Sequence, residues 1–166
     1  MIIYFIRHSK PDYSEFKDTD PIFFADYAGL SKEGINIVEN FDTNLINDAE
    51  IIIASPYTRT MQTAAILSKK TRINIITDYN LHEWLPDKTF KSQTKDFQKY
   101  NKRYYSNPEN KEDVFETESE VRKRITDCVD KYKNKYDKII IVAHQRLIQT
   151  YTNKKLDYCE LLKIEV

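Results

Sequence analysis

The sequence predicts an α/β fold in which a mostly parallel central sheet is covered by helices on both faces. Its main evidence is a set of short apolar runs rich in β-branched residues, at Ile2–Ile6, Glu50–Ala54 and Lys138–Ala143. Runs of this length and composition are typical of strands that are buried on both faces of a parallel sheet. The segments between them carry helix-start signals and apolar residues at helical spacing. Strands and helices that alternate in this way favour a sheet with helical crossovers.

The composition indicates one domain over residues 1–166 and argues against several classes of partner. Its 26 basic and 26 acidic residues give a formal net charge of zero, so no basic excess favours nucleic acid or an anionic membrane. The N-terminal apolar run is too short for a signal peptide, and no segment is long enough to span a bilayer. Cys128 and Cys159 form no CxxC pattern, so neither a zinc site nor a disulfide framework is predicted. We expect a reduced, cytoplasmic protein that binds neither nucleic acid nor membrane.

The first strand leads into a distinctive tripeptide, Arg7–His8–Ser9. A fixed cation and an imidazole stand where a core strand would open into a loop. In open α/β sheets, ligands bind at the carboxyl ends of the strands. Taken alone, so short a motif is better explained as the polar end of a strand, because such matches often arise by chance. Residues elsewhere in the chain, described below, make a functional role for this tripeptide the better explanation.

A long polar loop and a helix are predicted next. Residues 10–29 contain two prolines and no helical period, and loops of this length are usually functional or disordered. Ser31 is placed to cap the helix that follows, and Ile35, Val38 and Leu45 predict its apolar face.

The second strand, Glu50–Ala54, runs directly into Ser55–Pro56. Serine is favoured at a helix N-cap and proline at the first helical position, so these residues predict a helix that extends to about Ser68. Arg59 would lie one turn inside this helix. This arrangement of a strand, a tight turn and a helix N-terminus with an arginine is suited to an anion-binding site. An ordinary strand-to-helix junction explains the segment about equally well.

A third strand is predicted at Ile73–Thr77, and Glu83 lies in the loop beyond it. Glu83 stands between His82 and Trp84, the only tryptophan. A carboxyl group in partly apolar surroundings suits a general acid, because it keeps its proton more readily. Taken alone, Glu83 could equally be an ordinary surface glutamate.

The last part of the chain predicts two helices and two strands. One helix is expected around Ser92–Tyr105, and a second follows the capping box at Thr117–Glu120. The second helix carries a core-facing stripe of Val121, Ile125, Val129, Tyr132 and Tyr136. The strand Lys138–Ala143 is followed directly by His144. In Glu160–Val166, apolar and polar residues alternate, as expected of an edge strand.

Residues suited to phosphate chemistry follow several of these strands. They are two of the three histidines, two arginines and one glutamate: His8, His144, Arg7, Arg59 and Glu83. The strand ends of a parallel sheet point the same way, so these side chains should converge on one crevice. Arginine forks bind phosphate oxygens, neutral imidazole is a nucleophile at phosphorus, and a carboxylic acid can protonate a leaving oxygen. The sequence therefore predicts a crevice for phosphoryl transfer.

The motifs resemble those of the histidine phosphatase superfamily, the phosphoglycerate mutase-like group. Six segments match in the family's order: Arg7–Ser9 with RHG, Leu30–Gly34 with L-[ST]-x-x-G, Ser55–Ala64 with S-P-x-x-R-x-x-Q-T-A, Glu83 at the acid position, Thr117–Ser119 with G-E-S, and His144 at the second histidine. Each match is weak, but together they cover the chain to residue 147.

The resemblance implies a three-layer sandwich and a two-step phosphoryl transfer that needs neither metal nor cofactor. His8 would attack phosphorus and become a phosphohistidine, while Arg7, Arg59 and His144 would hold the phosphoryl oxygens. Glu83 would protonate the leaving oxygen and then assist the incoming water. The arginines should also keep His8 neutral, because like charges oppose its protonation.

The chain departs from the family pattern beside both histidines. Ser9 replaces the usual glycine after His8, and Gln145 and Arg146 stand where glycine is common after His144. We include Ser9 and Gln145 among the predicted substrate-binding residues. Arg146 could add an anion contact or obstruct a bulky substrate. Residues 10–30 and 84–116 are expected to decide the choice of substrate.

These observations favour a phosphomonoesterase of the histidine acid phosphatase type that acts on a small phosphorylated metabolite or a phosphoprotein. A phosphosugar or phosphoglycerate mutase is less favoured, because a mutase must exclude water and the short chain has no evident lid. A non-catalytic phosphate-binding module is also possible, but it would not need an acid paired with a nucleophile.

Overall fold

The computed structural model describes all 166 residues and contains one five-stranded sheet. The strands are β1 Ile2–Arg7, β2 Ile51–Ala54, β3 Ile75–Thr77, β4 Lys138–Ala143 and β5 Leu161–Glu165. Their spatial order is β3-β2-β4-β1-β5. The first four strands are parallel neighbours, and β5 pairs antiparallel with β1 at the edge. The predicted mostly parallel sheet and its edge strand are confirmed.

Five α-helices accompany the sheet. They are α1 Lys32–Glu39, α2 Thr58–Thr71, α3 Phe97–Ser106, α4 Glu118–Lys133 and α5 Gln145–Thr152. Short 3-10 helices lie at Ile22–Tyr27, Thr43–Leu45, Tyr79–Leu81 and Thr94–Asp96. None of the helices combines the length and the apolar character that crossing a membrane requires.

Two separate cores lie on the two faces of the sheet, because successive side chains of a strand point to opposite faces. On one face, Ile3 and Phe5 of β1 belong to a cluster that includes the buried apolar residues of α4 and α5. On the other face, Tyr4 and Ile6 pack in a cluster with residues of α1 and α2. The predicted stripe of α4 is buried in the first core, with Tyr136 partly buried against it. Helices therefore cover both faces, as predicted.

Helix α2 begins at Thr58, so the predicted start at Ser55–Pro56 is wrong. Tyr57 occupies the N-cap position, and the Ser55 hydroxyl bonds His144 Nε2 at 2.8 Å instead of capping the helix. The Ser55 carbonyl accepts a hydrogen bond from the Thr60 hydroxyl at 2.9 Å. These bonds hold Ser55 in the turn.

Helix α3 begins at Phe97, five residues later than predicted. The Asp87 carboxylate accepts hydrogen bonds from the backbone N–H groups of Lys91 and Ser92 at 3.0 and 2.9 Å, which holds this segment as a loop. A single 3-10 turn, Thr94–Asp96, then precedes the helix. Strand β3 also starts later than expected, at Ile75.

The predicted apolar face of α1 is only partly correct. Val38 is buried, whereas Ile35 is 40% exposed. Leu45 lies beyond the end of the helix, in a 3-10 turn, and is 54% exposed. The packing of α1 depends instead on Gly34, which lies directly against the backbone of Lys10.

The strand register positions the candidate site. Arg7 of β1 is aligned with Ala143 of the adjacent β4, so the residues that follow them, His8 and His144, leave the sheet side by side. The backbone N–H of His8 donates to the Ala143 carbonyl at 2.9 Å. Strand β2 lies on the other side of β4 and delivers Ser55 to the same edge. The carboxyl ends of the central strands therefore form the floor of one crevice.

Candidate active site

His8 presents an unprotonated ring nitrogen toward Arg59. Its Nδ1–H donates to the Ser9 carbonyl at 2.7 Å, because a carbonyl can only accept, and this leaves Nε2 as the acceptor. Nε2 accepts from Arg59 Nε at 3.3 Å. Burial, followed by the charge of Arg59, lowers the pKa of His8 to about 3. His8 is therefore neutral over the physiological range, with its lone pair on Nε2.

Arg59 joins the two histidines. It is the second residue of α2 and is 5% exposed. Its Nε faces His8, its Nη2 donates to His144 Nδ1 at 3.3 Å, and its Nη1 donates to the Ala25 carbonyl at 2.9 Å. One guanidinium thus fixes both imidazoles relative to the loop before α1.

His144 is fully buried, and its ring centroid lies 5.2 Å from that of His8. Because its Nδ1 accepts from Arg59, its Nε2 carries the proton and donates to the Ser55 hydroxyl at 2.8 Å. Burial and the Arg59 charge hold the pKa of His144 well below its usual range. Ser55 was predicted only as a helix cap. Its position directly after a predicted strand was the sequence signal that could have indicated a role in the site.

Glu83 is anchored at the N-terminus of α5. Its carboxylate accepts hydrogen bonds from the backbone N–H groups of Trp84 at 2.9 Å and of Arg146 and Leu147, each at 3.4 Å. These donors and the helix dipole stabilise negative charge. The surroundings are therefore more polar than the neighbouring tryptophan suggested, and they orient the carboxyl group firmly.

Arg7 has a buried N–H group that lacks a hydrogen-bond partner. Its Nη1 donates to the Leu156 carbonyl at 2.9 Å, and its guanidinium carbon lies 4.0 Å from the centre of the Tyr158 ring. Its Nε is buried and has no partner. A buried donor without a partner is costly and suits an oxyanion that arrives with the substrate.

Five predicted site residues line one cavity of about 190 Å³. They are Arg7, His8, Arg59, Glu83 and Gln145. His144 lies beneath the cavity and reaches it through Arg59. The buried Oε1 of Gln145 has no hydrogen-bond partner, so this side chain has a polar atom available to a ligand. The structure therefore brings these side chains together at one crevice, as the sequence predicted.

Two residues lie elsewhere. The predicted binding role of Ser9 is contradicted by its position, since the side chain is fully buried and its hydroxyl donates to the Gly34 carbonyl at 2.7 Å. Arg146 neither enters the cavity nor obstructs it. Its guanidinium carbon lies 3.9 Å from the centre of the Trp84 ring and 4.5 Å from that of Tyr104.

The sequence analysis did not single out several residues of the cavity wall. Tyr13, Asp26, Phe97 and Tyr158 all line it. The first three lie in the two segments that were expected to decide substrate choice. No motif marked them, because their approach to His8 depends on the path of a long loop.

Solved structures with the same fold include a mycobacterial glucosyl-3-phosphoglycerate phosphatase (TM-score 0.75, 16% identity, 99% of this chain and 89% of that chain). They also include an alpha-ribazole phosphatase from Shigella flexneri (TM-score 0.70, 17% identity, covering 100% of this chain and 91% of that chain). A third is YhfR from Bacillus stearothermophilus (TM-score 0.73, 15% identity, covering 99% of this chain and 91% of that chain). Likeness at these identities establishes the fold and confirms the predicted phosphoglycerate mutase-like sandwich.

Sequence comparison places this chain in a family. A search among curated proteins found no significant match. Residues 3–161, in contrast, match the sequence profile of the histidine phosphatase superfamily, branch 1. The match covers nearly the whole chain and includes both histidines, Arg59 and Glu83. The chain therefore belongs to the histidine phosphatase superfamily.

Proposed function

We propose that this protein is a phosphomonoesterase that transfers a phosphoryl group first to His8 and then to water. The observation that carries the proposal is the neutral His8, whose Nε2 faces Arg59 on the wall of a cavity that also holds Glu83. A nucleophile, a fixed cation and an acid on one small cavity are the parts that this reaction needs.

In the first step, His8 Nε2 forms a bond to phosphorus while the bond to the leaving oxygen breaks. The Nε of Arg7 and the guanidinium of Arg59 would hold the phosphoryl oxygens and offset their charge. Glu83 would donate its proton to the leaving oxygen.

In the second step, water attacks the phosphohistidine. The ionised Glu83 would take a proton from the water, the bond between phosphorus and Nε2 would break, and inorganic phosphate would leave. The Ser9 carbonyl accepts the Nδ1–H of His8 at 2.7 Å, so it would stabilise the positive charge that the ring carries in the intermediate. His144 and Ser55 would keep Arg59 in place throughout.

The size of the cavity supports a small phosphomonoester as substrate. A volume of about 190 Å³ accommodates a phosphoryl group and the first atoms of the group attached to it. We keep the expectations that the reaction needs no metal and takes place in the cytoplasm as parts of this proposal.

The decisive experiment measures phosphate release from p-nitrophenyl phosphate in EDTA, for the wild type and for His8→Ala. We expect metal-independent turnover in the wild type and a loss of at least about 10³-fold in the variant. Rapid acid-free quenching should trap a phosphoenzyme only in the wild type. Circular dichroism establishes that the variant is folded.

Two results would contradict the proposal. Turnover that survives in His8→Ala would remove the nucleophile from its central role. Vanadate or phosphate binding without any turnover by the wild type would favour a non-catalytic binding module or a mutase. A requirement for a bisphosphate primer, without net phosphate release, would identify the mutase.

A further inference from the structure

The proposed reaction leaves one charged residue of the cavity without a role, Asp26. It lies on the 3-10 helix Ile22–Tyr27 and lines the same cavity as His8, Arg59 and Glu83. The carbonyl of the preceding residue, Ala25, accepts a hydrogen bond from Arg59 at 2.9 Å, so this helix is fixed against the reacting groups. Asp26 thus places a second carboxyl group beside the reaction centre.

The charges on the cavity wall suit a substrate with one anionic group. Its cations are Arg7 and Arg59, and its acids are Asp26 and Glu83. A phosphoryl dianion occupies both guanidiniums. No further arginine or lysine lines the cavity to receive a carboxylate or a second phosphate on the leaving group. Arg146 does not line this cavity; its guanidinium stacks on Trp84 and Tyr104 in an adjoining pocket.

A second compartment continues from the cavity. This leaving-group groove has a volume of about 480 Å³ and shares Tyr13, Ile22, Ala25 and Phe97 with the cavity. These four shared residues are apolar or aromatic. The groove's charged residues, Asp18 and Lys95, have opposite signs. The path from the cavity into the groove therefore passes Asp26 and then runs over the apolar and aromatic side chains that the two compartments share.

We propose that the natural substrate is a small phosphomonoester with an uncharged or cationic leaving group whose apolar or aromatic part lies in the leaving-group groove. Asp26 is the specificity-determining residue, because it rejects leaving groups that carry a carboxylate or a second phosphate. This inference rests on the proposed phosphatase function. The inference extends that function by specifying the charge and the polarity of the leaving group.

The test of Asp26 compares phenyl phosphate with 3-carboxyphenyl and 3-(aminomethyl)phenyl phosphate, which differ in charge but little in shape. At pH 7.5 we expect kcat/KM for the carboxyl compound to be at least about 10-fold below that for phenyl phosphate, and the cationic compound to equal or exceed it. Asp26→Asn should bring all three to within about 3-fold of one another. Asp42→Asn, on an exposed turn, should keep the wild-type ratios.

The outcomes separate this inference from the proposed function. No hydrolysis of any of the three compounds by the wild type would overturn the phosphatase proposal itself. Hydrolysis of all three at similar rates, or ratios that Asp26→Asn leaves unchanged, would overturn the assignment of Asp26 while the phosphatase proposal stands.

The groove is tested by the size of the leaving group. We expect the wild type to prefer 2-naphthyl phosphate over phenyl phosphate, and Phe97→Ala to reduce this preference several-fold. Phe24→Ala removes an aromatic ring of similar exposure that lines neither compartment, so it should preserve the preference. Equal ratios in the wild type and Phe97→Ala would exclude the groove as the site of the leaving group.

Discussion

Single hydrogen-bond partners decide which nitrogen of each histidine carries a proton. In His8 the Ser9 carbonyl requires a proton on Nδ1, and in His144 the guanidinium of Arg59 requires a free Nδ1. The two rings therefore hold opposite tautomers, although both are buried beside the same cation. This difference leaves one of them, His8, with a lone pair directed at the cavity.

The tautomers can be read directly by ¹⁵N NMR of the histidine rings. We expect a bare Nε2 in His8, a bare Nδ1 in His144, and no titration of either ring between pH 8 and 5, because burial and Arg59 lower the pKa of both. A His8 ring that titrates near its ordinary value of 6.5 would contradict the geometry described above.

Ser55 should act as a positioning residue through His144. Ser55→Ala removes the acceptor of a buried N–H group, so we expect the free energy of unfolding to fall by about 1–3 kcal/mol. We also expect kcat/KM to fall by roughly 10-fold, because His144 can then adopt the other tautomer and present an N–H group to Arg59. Ser106→Ala, on the exposed face of α3, is the matched control. If the His144 tautomer and kcat/KM both survive in Ser55→Ala, the hydroxyl has no positioning role.

Glu83 should matter most for substrates whose leaving group needs a proton. Glu83→Gln keeps the shape of the side chain but cannot transfer a proton. We expect a loss of about 10²–10⁴-fold with an alkyl phosphate and a much smaller loss with p-nitrophenyl phosphate, whose leaving group is a weak base. The exposed Glu112→Gln should leave both rates unchanged. Equal losses on the two substrates would indicate that Glu83 is not the general acid.

At the residue scale, the sequence predicted the types of the reacting groups better than their partners. Arg7, His8, Arg59 and Glu83 were identified because each stands at or just past a strand or helix boundary with few alternatives. Ser9 was placed wrongly, because nothing local showed that its hydroxyl would turn toward Gly34. Asp26 was not identified, because it belongs to none of the sequence motifs.

Helix α1 is placed by the close approach of Gly34 to the chain after His8. A Cβ atom at Gly34 would lie 2.1 Å from the Lys10 carbonyl oxygen, which belongs to the backbone and cannot turn aside. The Ser9 hydroxyl reaches the Gly34 carbonyl at 2.7 Å across the same contact. The glycine of the L-S-x-x-G segment is therefore a packing requirement of this element.

Gly34→Ala should destabilise the protein by about 1–3 kcal/mol and reduce activity, because separating α1 from Lys10 disturbs the Ser9 carbonyl that orients His8. Gly29→Ala is a matched control, since its Cβ would meet only the flexible Gln62 side chain, at 3.1 Å. Urea unfolding and kcat/KM on p-nitrophenyl phosphate measure both effects. Equal stability of the two variants would exclude the close contact at Gly34.

At the element scale, strands were predicted more accurately than helix starts. The apolar runs mark the strands directly, because a strand buried on both faces has few polar positions. Helix α2 starts two residues late because Ser55 bonds His144, and α3 starts five residues late because Asp87 holds the loop before it. The contact that delays α2 joins residues far apart in sequence, whereas α3 is delayed by a carboxylate four and five residues before the N–H groups that it binds. Neither contact is part of a local capping signal.

For the molecule as a whole, the parallel sheet explains why one crevice could be predicted. The carboxyl ends of β1, β2 and β4 must lie together, whatever the loops do. The wall of the crevice could not be predicted, because the loop before α1 is placed by contacts such as the Pro21–Gln93 bridge and the bond from Arg59 to Ala25. The sequence thus predicted the reacting groups, while the groups facing the leaving group required the structure.

The stability of the whole protein should fall as the pH drops from 6.5 to 5. The unfolded chain takes up protons on its histidines near pH 6.5, whereas the lowered pKa values of His8 and His144 keep these residues neutral in the folded state. Protons therefore favour unfolding in this range. Asp26 acts in the opposite direction, because burial raises its pKa from 3.8 to about 6. Burial lowers the pKa of His82 as well, so three histidines act against one aspartate, and we expect the free energy of unfolding to fall by at least about 2 kcal/mol.

Asp26→Asn should separate these contributions. At pH 7.5 the substitution removes an ionised carboxylate from a poorly solvated position, so we expect a gain of up to about 3 kcal/mol in the free energy of unfolding. Between pH 6.5 and 5 the variant should lose about 1 kcal/mol more than the wild type, since it lacks the proton uptake that partly offsets the histidines. Urea unfolding at several pH values measures both quantities, with the exposed Asp42→Asn expected to follow the wild type. If Asp26→Asn matches the wild type at every pH, Asp26 ionises as easily in the folded protein as in the unfolded chain. A gain in stability would instead show that the ionised Asp26 destabilises the folded protein. Such a cost is expected of a residue that is retained for substrate specificity.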